Sequence, residues 1–321
     1  MFTREDFMNE MKTRVERELH ERDIDVEVSA NKMNKNNGME KWALGFAGGN
    51  RNIQPTIYMD DFYDKCMDDE LTLTEITDKV CDIYATSIPR EDFDVKSIMD
   101  YEQAKNNITV CVRNAEMNSE LLKTVPHDIM GDLAVMYRVE VNQGIDGNGS
   151  VLINNQIMEH YGIDQDTLRE QAWKNTKELH PYSFKSMGDV MREMFSGNGM
   201  DMPDDIFQQV DSNPGGMYIL SNDAKYNGAA YLCDKETLGK ISDMIQDDLV
   251  ILPSSIHECI VLPSRMCDDM QSLKEMVETV NETEVAQDEI LSGNVYKFNG
   301  QTHEISVYTG ETQNMSQGMN M

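Results

Sequence analysis

The sequence lacks the marks of a membrane or exported protein. It contains no run of about 18 apolar residues, so it predicts no membrane span. The opening segment, MFTREDFMNEMKTRVE, is charged throughout and has no apolar core, which predicts that it is not a signal peptide. We therefore expect a cytoplasmic protein without a membrane partner.

Basic residues are also few. The 321 residues include 28 Lys and Arg against 58 Asp and Glu, a formal net charge of −30. Proteins bind nucleic-acid phosphates through Lys and Arg, so we expect no DNA or RNA partner held by phosphate contacts. The acidic excess raises the hypothesis of a DNA mimic, which needs carboxylates on one face at about 1.7 Å of axis per charge. The acids are instead spread along the sequence, as on ordinary solvated faces.

Cysteine pairs are missing as well. The six cysteines are scattered and include no CxxC pair, which predicts reduced and mostly buried thiols. A zinc site needs clustered Cys and His ligands, and the nearest approach, His257 with Cys259 and Cys267, does not have that spacing. We expect no metal and no cofactor.

Common catalytic motifs do not occur. GxGxxG, Walker A, HExxH and GxSxG patterns are all absent. The stretch from Asp146 to Ser150 begins like a calcium loop, but Val151 and Ile157 stand where an EF-hand needs Gly and Glu. That stretch therefore predicts a β-turn.

Hydrophobic periodicity indicates helices and hairpins. Phe7, Met11, Val15 and Leu19 recur every four residues after a capping Thr3, which predicts an N-terminal helix. Four hairpins are predicted from alternating or turn-flanked runs. They pair 24–28 with 42–46, Met217–Leu220 with Ala229–Leu232, Leu249–Leu252 with Ile256–Leu262, and Val295–Phe298 with Glu304–Tyr308. We expect an α+β fold in which antiparallel hairpins form sheet and helices pack on it.

A strand-turn-strand-helix order occurs twice, once after Met136 and once after Met217. This order leaves open an internal duplication. The predicted organisation is an N-terminal α+β region (1–105), a first β-β-α region (106–195), a loop or linker (196–216), a second β-β-α region (217–309) and a disordered tail (310–321).

Two polar stretches could carry chemistry. One runs from Pro253 to Cys259; on a strand, His257 and Cys259 would share a face, as a hydrolase-like pair requires. The other combines the end of a predicted strand with Pro126-His127. The alternative reading is structural, with hydroxyls satisfying turn amides and the other groups capping a helix. The candidate polar cluster is Arg113, Asn114, His127, Ser254, Ser255, His257 and Glu258.

Several strings resemble a known family. They are Pro55–Tyr58, Asp61–Tyr63, Arg113-Asn114, Val125–His127, Asp132–Arg138, Gly228–Ala230, Leu252–Glu258 and Val280-Asn281. On these the chain resembles the bacterial family called domain of unknown function 5688, over about residues 3–300. The resemblance implies gut Firmicutes and proximity to mobile elements, but no activity and no catalytic residue. The C-terminal half is distantly similar to domain of unknown function 1444, mainly in its order of elements.

These observations favour a non-enzymatic cytoplasmic binding or accessory protein with an unidentified protein partner. The link to a mobile element comes only from the resemblance. The first alternative is a hydrolase-like enzyme with a site near His257, where His127 or Arg113 would meet the imidazole in one pocket. The second alternative is the acidic DNA mimic.

Overall fold

A computed structural model describes residues 2–49, 51–89, 92–142, 148–197, 216–253 and 255–310. The chain divides into two compact units. The first comprises Met1–Ala104 with Glu140–Val151, and the second comprises Lys105–Val139 with Leu152–Met321. Most of the expected linker and all but the first residue of the expected tail lie outside the described residues.

Helices pack on a three-stranded antiparallel sheet in the first unit. Its elements are α1 (Arg4–Glu21), β1 (Val26–Asn34), β2 (Glu40–Gly48), β3 (Thr56–Tyr58), α2 (Asp60–Met67), α3 (Leu73–Ser87), α4 (Lys96–Met99) and α5 (Tyr101–Ala104). The predicted N-terminal helix is confirmed: Thr3 and Asp6 form a capping box, and the predicted face of α1 is buried. The predicted hairpin is confirmed too, because β1 pairs with β2 around Asn36–Gly38.

The second unit is built on two sheets. Its elements begin with β4 (Ile108–Asn114), α6 (Ser119–Leu122), β5 (His127–Met130), β6 (Leu133–Asn142), β7 (Asn148–Leu152), α7 (Asn155–Tyr161), α8 (Gln165–Leu179), β8 (Tyr182–Ser186) and α9 (Met187–Gly197). They continue with β9 (Tyr218–Asn222), α10 (Lys235–Ile245), β10 (Leu249–Pro253), β11 (Cys259–Pro263), α11 (Met270–Thr283), β12 (Val295–Phe298) and β13 (Ile305–Tyr308). The stretch Glu140–Val151, with the end of β6 and most of β7, is grouped with the first unit.

Antiparallel pairing dominates both sheets. One has the order β4-β6-β5 with β7 beside β6, and the other has the order β13-β12-β10-β11-β9-β8. The hairpins β10–β11 and β12–β13 match the predictions, apart from the first residues of β11. The fold is therefore α+β with antiparallel hairpins and helices, as the sequence predicts. Among the described helices, none combines the length and apolar character that crossing a membrane needs.

The predicted strand Ala229–Leu232 is wrong. Gly228–Cys233 forms a 3-10 helix, and Gly228 to Leu232 are all buried. This continuous apolar run has no polar alternation, so it does not have the two-residue period of a half-buried strand. The second copy of the strand-turn-strand-helix order thus lacks its second strand, and the structure does not support a duplicated unit.

The predicted strand from Ile256 is too long. Strand β11 begins only at Cys259, because the Ser255 side chain accepts a hydrogen bond from the His257 backbone N–H at 3.0 Å and bends the chain. His257 and Cys259 therefore do not share a strand face. The helix that follows β4 is confined to α6, because the Asn114 side chain holds a turn before it by accepting from the Met117 N–H at 3.0 Å.

Candidate functional site

The candidate residues lie at strand ends of the second unit. Arg113 and Asn114 end β4, and His127 begins β5. Ser255, His257 and Glu258 lie in the connection between β10 and β11, whereas Ser254 lies outside the described residues.

Both ring nitrogens of His257 are engaged. The backbone N–H of Asn227 donates to Nδ1 at 3.2 Å, and Nε2 lies 3.4 Å from Oε1 of Glu289. Since Nδ1 accepts, the neutral ring carries its hydrogen on Nε2, where it faces the Glu289 carboxylate. The imidazole thus ties the connection between β10 and β11 to the turn that contains Asn227.

Asn227 also joins His257 to Arg113. The Nη1 atom of Arg113 donates to the carbonyl of Val112 at 2.7 Å and to Oδ1 of Asn227 at 2.9 Å. The structure therefore brings together two of the predicted residues, Arg113 and His257, through a residue that lies between them. We call Arg113, Tyr226, Asn227, His257 and Glu289 the Asn227 cluster.

The turn that carries Asn227 is held from several sides. The Asn222 side chain bonds Tyr226 twice, accepting from its N–H at 3.2 Å and donating to its carbonyl at 2.9 Å. The Ser221 hydroxyl donates to the carbonyl of His257 at 2.8 Å. A Cβ atom on Gly228 would lie 2.4 Å from Ser221 Oγ and 2.7 Å from the His257 carbonyl oxygen, so only glycine fits.

This rigid turn presents an aromatic ring to solvent. Tyr226 is 52% exposed, and its ring centroid lies 5.3 Å from that of His257 at an interplanar angle of 33°. The guanidinium carbon of Arg138 lies 5.1 Å from the Tyr226 centroid, within cation–π range, and Arg138 is buried. An exposed tyrosine backed by a cation and an imidazole is typical of recognition surfaces.

Some hydrogen-bond donors in the Asn227 cluster have no acceptor among the described residues. Asn227 is only 3% exposed, and its Nδ2 atom has no hydrogen-bond partner among the described residues. Leaving a buried donor unpaired costs on the order of 1–3 kcal/mol, so it calls for a physical account. Arg113 uses only Nη1 in its bonds to described residues, and Nε and Nη2 face no described acceptor within bonding distance.

Asn114 serves a different cluster. Successive strand residues point to opposite faces, so Asn114 turns away from Arg113. Its amide donates to the carbonyl of Leu291 at 3.1 Å and approaches Asp132 at 3.5 Å. Asp132 also accepts from Tyr296, from Ser292 at 2.7 Å and from Asn294 at 3.0 Å, which makes this a structural network.

His127 is bonded separately from the Asn227 cluster. Its Nδ1 atom lies 2.9 Å from the carbonyl of Val125, and its own carbonyl accepts from Gln165 at 2.7 Å. Within the described chain, no hydrogen bond or ring contact connects its side chain to Arg113 or His257. The structure thus does not place His127 in the predicted polar cluster.

The remaining predicted groups hold the turn or are buried. The backbone N–H of Ser255 donates to the Glu258 carbonyl at 3.2 Å, which closes the connection. Cys259 is completely buried, and burial raises the pKa of its thiol far above the ordinary value, so the thiolate is strongly disfavoured. Among the residues with described placement, no three His, Cys, Asp or Glu side chains form a metal-binding group.

A strong ion pair lies elsewhere in the second unit. The Arg169 guanidinium contacts both oxygens of Asp128, at 2.5 Å and 2.8 Å, and the Tyr137 hydroxyl also donates to this carboxylate. Burial alone would raise the pKa of Asp128, but the bonds from Arg169 and Tyr137 outweigh burial and hold it below its ordinary value.

Two cavities lie away from the Asn227 cluster. One of about 490 Å³ in the first unit is lined by residues that include Asp23, Arg51 and Tyr84. The other, of about 580 Å³, lies in the second unit between Lys235 and the β12–β13 hairpin. None of the predicted site residues lines either cavity.

Three residues of the cluster were missed from the sequence, namely Tyr226, Asn227 and Glu289. Asn227 and Gly228 form an Asn-Gly pair, a known signal for a tight turn, and Asn227 adopts a left-handed backbone with φ of 55°. That signal predicts the turn but not its partners. Arg113 and Glu289 are 114 residues upstream and 62 residues downstream of Asn227, since 227 − 113 = 114 and 289 − 227 = 62.

One family model matches most of the chain. It is described as a family of unknown function (DUF5688), and it covers residues 4–300. No curated protein and no solved structure matches the chain. The match spans both units and every residue of the Asn227 cluster, and it assigns no activity to any of them.

Proposed function

The chain belongs to the DUF5688 family of unknown function, and on that premise we propose that it is a non-enzymatic binding or accessory protein. We propose further that it works in the cytoplasm, that it serves a mobile element, and that its partner contacts the Asn227 cluster. The proposal is carried by one observation: a turn braced from several sides holds an exposed Tyr226 beside His257, and the adjacent Asn227 accepts a hydrogen bond from Arg113.

Preorganisation supports recognition at this turn. Association loses less conformational entropy when the contacting side chains are already ordered. The Asn222 bonds, the Ser221 bond and the tight fit of Gly228 order the backbone, and the contact with the His257 ring orders Tyr226. Tyrosine then supplies a large contact area with one polar tip, as in many protein interfaces.

The bonding of His257 favours binding over hydrolysis. A general base needs a free lone pair within reach of the proton that it takes. In the neutral ring of His257, the lone pair on Nδ1 accepts from Asn227, and the hydrogen on Nε2 faces Glu289. The nearby thiol, Cys259, is buried and its raised pKa keeps it protonated, so this thiol is not an activated nucleophile for the imidazole.

The hydrolase-like alternative retains one point in its favour, since Arg113 does meet His257 through Asn227. The DNA-mimic alternative rests on the net charge of −30. Ion pairs on the surface weaken this alternative. For example, the single residue Arg22 pairs with three carboxylates, Glu18 on α1 and Asp78 and Asp82 on α3. Such mixed surfaces are typical of soluble proteins and need no target.

Affinity capture from the native host tests the proposal. The tagged full chain, a Tyr226→Ala variant and a Tyr58→Ala control would be compared, because Tyr58 is an exposed aromatic residue of the first unit. We expect a stoichiometric protein partner with the wild type and the control but not with Tyr226→Ala. Equal retention by all three would contradict a binding surface at Tyr226.

The same samples separate the alternatives. Turnover of an ester, amide or phosphoester by the purified chain, abolished by His257→Gln, would replace the proposal with the hydrolase. A captured DNA-binding protein that duplex DNA displaces would favour the mimic. A partner encoded beside the gene on the same mobile element would support the accessory role.

A further inference from the structure

The unused donors of the Asn227 cluster indicate a ligand. An arginine side chain carries N–H donors on Nε, Nη1 and Nη2. Arg113 uses only Nη1, for Val112 and Asn227. The edge formed by Nε and Nη2 stays unused by described residues, and so does the buried Nδ2 of Asn227. Arg113 and Asn227 are joined directly, because Arg113 Nη1 donates to Oδ1 of the amide whose Nδ2 is unused.

Nearby carboxylates do not serve these donors. Glu289 approaches Nε2 of His257 at 3.4 Å, and none of the ion pairs of the described chain involves Arg113. In a chain with 58 acidic residues against 28 basic ones, other arginines such as Arg22 and Arg169 are surrounded by carboxylates. The Arg113 guanidinium can therefore form an ion pair with an anion that is not part of the described chain.

The exposed ring defines a second property of that ligand. The Tyr226 ring lies against the tilted ring of His257 and beneath the Arg138 guanidinium, and 52% of Tyr226 is exposed. A planar or apolar group could lie against this surface while an attached oxyanion meets the guanidinium edge. The Nε–Nη2 edge of arginine matches two oxygens of a carboxylate or a phosphate at once.

We propose that the Asn227 cluster binds an oxyanion attached to a planar group, with Arg113 and Asn227 donating to the oxygens and Tyr226 contacting the planar group. This inference deepens the proposed function and rests on it, since the oxyanion would be part of the partner or a small ligand. An aromatic carboxylate and a phosphate carried on an aromatic ring both provide this chemistry.

Titration with small probes tests the inference. Benzoate, phenyl phosphate and inorganic phosphate would be added to the full chain, with benzyl alcohol as the uncharged comparison, and binding would be followed by NMR of the Asn side-chain amides. We expect weak, saturable binding of benzoate or phenyl phosphate, with the Asn227 Nδ2 signals shifted. The choice between these two probes identifies the oxyanion, and benzyl alcohol should not bind.

Three variants make the test specific. Arg113→Gln removes the positive charge that would bind the oxyanion. Asn227→Asp replaces the Nδ2 donor with a carboxylate oxygen, which would repel the oxyanion. Asp keeps the shape of the Asn side chain and tolerates the left-handed backbone at this position. Each should weaken binding by about tenfold or more, the value of one charge-assisted hydrogen bond. The control Arg265→Gln removes the same charge from an arginine that pairs with Asp247, and it should bind like the wild type. Thermal unfolding of each variant shows which of them are folded.

Specific outcomes overturn the inference. If the probes bind equally to the wild type and to folded Arg113→Gln and Asn227→Asp, the oxyanion binds elsewhere. If no probe binds to the wild type, the proposed site does not exist. If Tyr226-dependent capture of a partner persists in that case, only the inference fails and the proposed function stands. If the probes bind as expected but no partner is captured, the oxyanion site stands and the accessory role fails.

Discussion

At the residue scale, Gly228 is the position that the turn tolerates least. The Gly228→Ala variant should lose about 2–3 kcal/mol of unfolding free energy, because the new Cβ would lie 2.6 Å from Asn222 N and 2.4 Å from Ser221 Oγ. Denaturant unfolding measures the loss. The matched control is Gly293→Ala, whose Cβ would be 3.6 Å from its nearest neighbour and should cost little. Equal stability of the two variants would contradict the tight turn.

A second residue-scale prediction concerns acid and Asp128. Asp128→Asn should lower the free energy of unfolding by about 1–2 kcal/mol at pH 7, because it removes the charged acceptor of Arg169. The folded pKa of Asp128 is lowered, so its contribution is complete above the unfolded value of about 4 and is lost as pH falls through the folded value. The difference between wild type and variant should therefore shrink below about pH 4.

The control for this prediction is Asp166→Asn. Asp166 contacts Arg169 at 2.6 Å but is 79% exposed, so we expect its replacement to have only a small effect on stability. Unfolding in urea at several pH values measures both variants. A gap between wild type and Asp128→Asn that widens as the solution becomes more acidic would contradict the assignment.

At the element scale, the start of α3 depends on its capping box. Thr72 accepts from the N–H of Glu75, and the Glu75 side chain accepts from the N–H of Thr72 in return. We predict that Thr72→Ala lowers the free energy of unfolding by about 1 kcal/mol. The control is Thr86→Ala, because the Thr86 hydroxyl only donates to carbonyls of the preceding turn. Loss of stability in the control alone would refute the role of the cap.

The same scale shows what the sequence could predict. Local signals were sufficient for α1 with its Thr3 cap and for the hairpin around Asn36–Gly38, since each depends on residues close in sequence. Ala229–Leu232 failed because burial on all sides erases the alternation that marks a strand. The division into regions was predicted from composition and order, and it stays a prediction.

The candidate site was predicted only in part for a related reason. Arg113 and His257 were identified because both lie in polar stretches, but their link, Asn227, is contributed by another turn. Glu258 adjoins His257 in sequence, whereas Glu289 is the carboxylate that lies beside its ring. Contacts between residues far apart in sequence are set by sheet pairing, which periodicity in one sequence does not encode.

At the scale of the whole molecule, the net charge of −30 dominates solution behaviour. Self-repulsion of like charges destabilises a compact chain, and salt screens it over about 8–10 Å at physiological ionic strength. We predict that the melting temperature rises by about 2 °C or more between 10 and 150 mM NaCl, a change of at least about 0.5–1 kcal/mol in unfolding free energy. A fall in melting temperature would mean that attractive ion pairs outweigh the repulsion.

The bonds of His257 hold the Tyr226 turn and leave its imidazole without a free lone pair for proton transfer. The direct measurement is NMR of the imidazole nitrogens in ¹⁵N-histidine-labelled protein near pH 7, with His257→Gln to assign the signals. We predict a neutral His257 ring with its hydrogen on Nε2 and Nδ1 accepting from the Asn227 N–H. A ring with its hydrogen on Nδ1, or one that exchanges freely between the two forms, would contradict the account and return the imidazole to the hydrolase alternative.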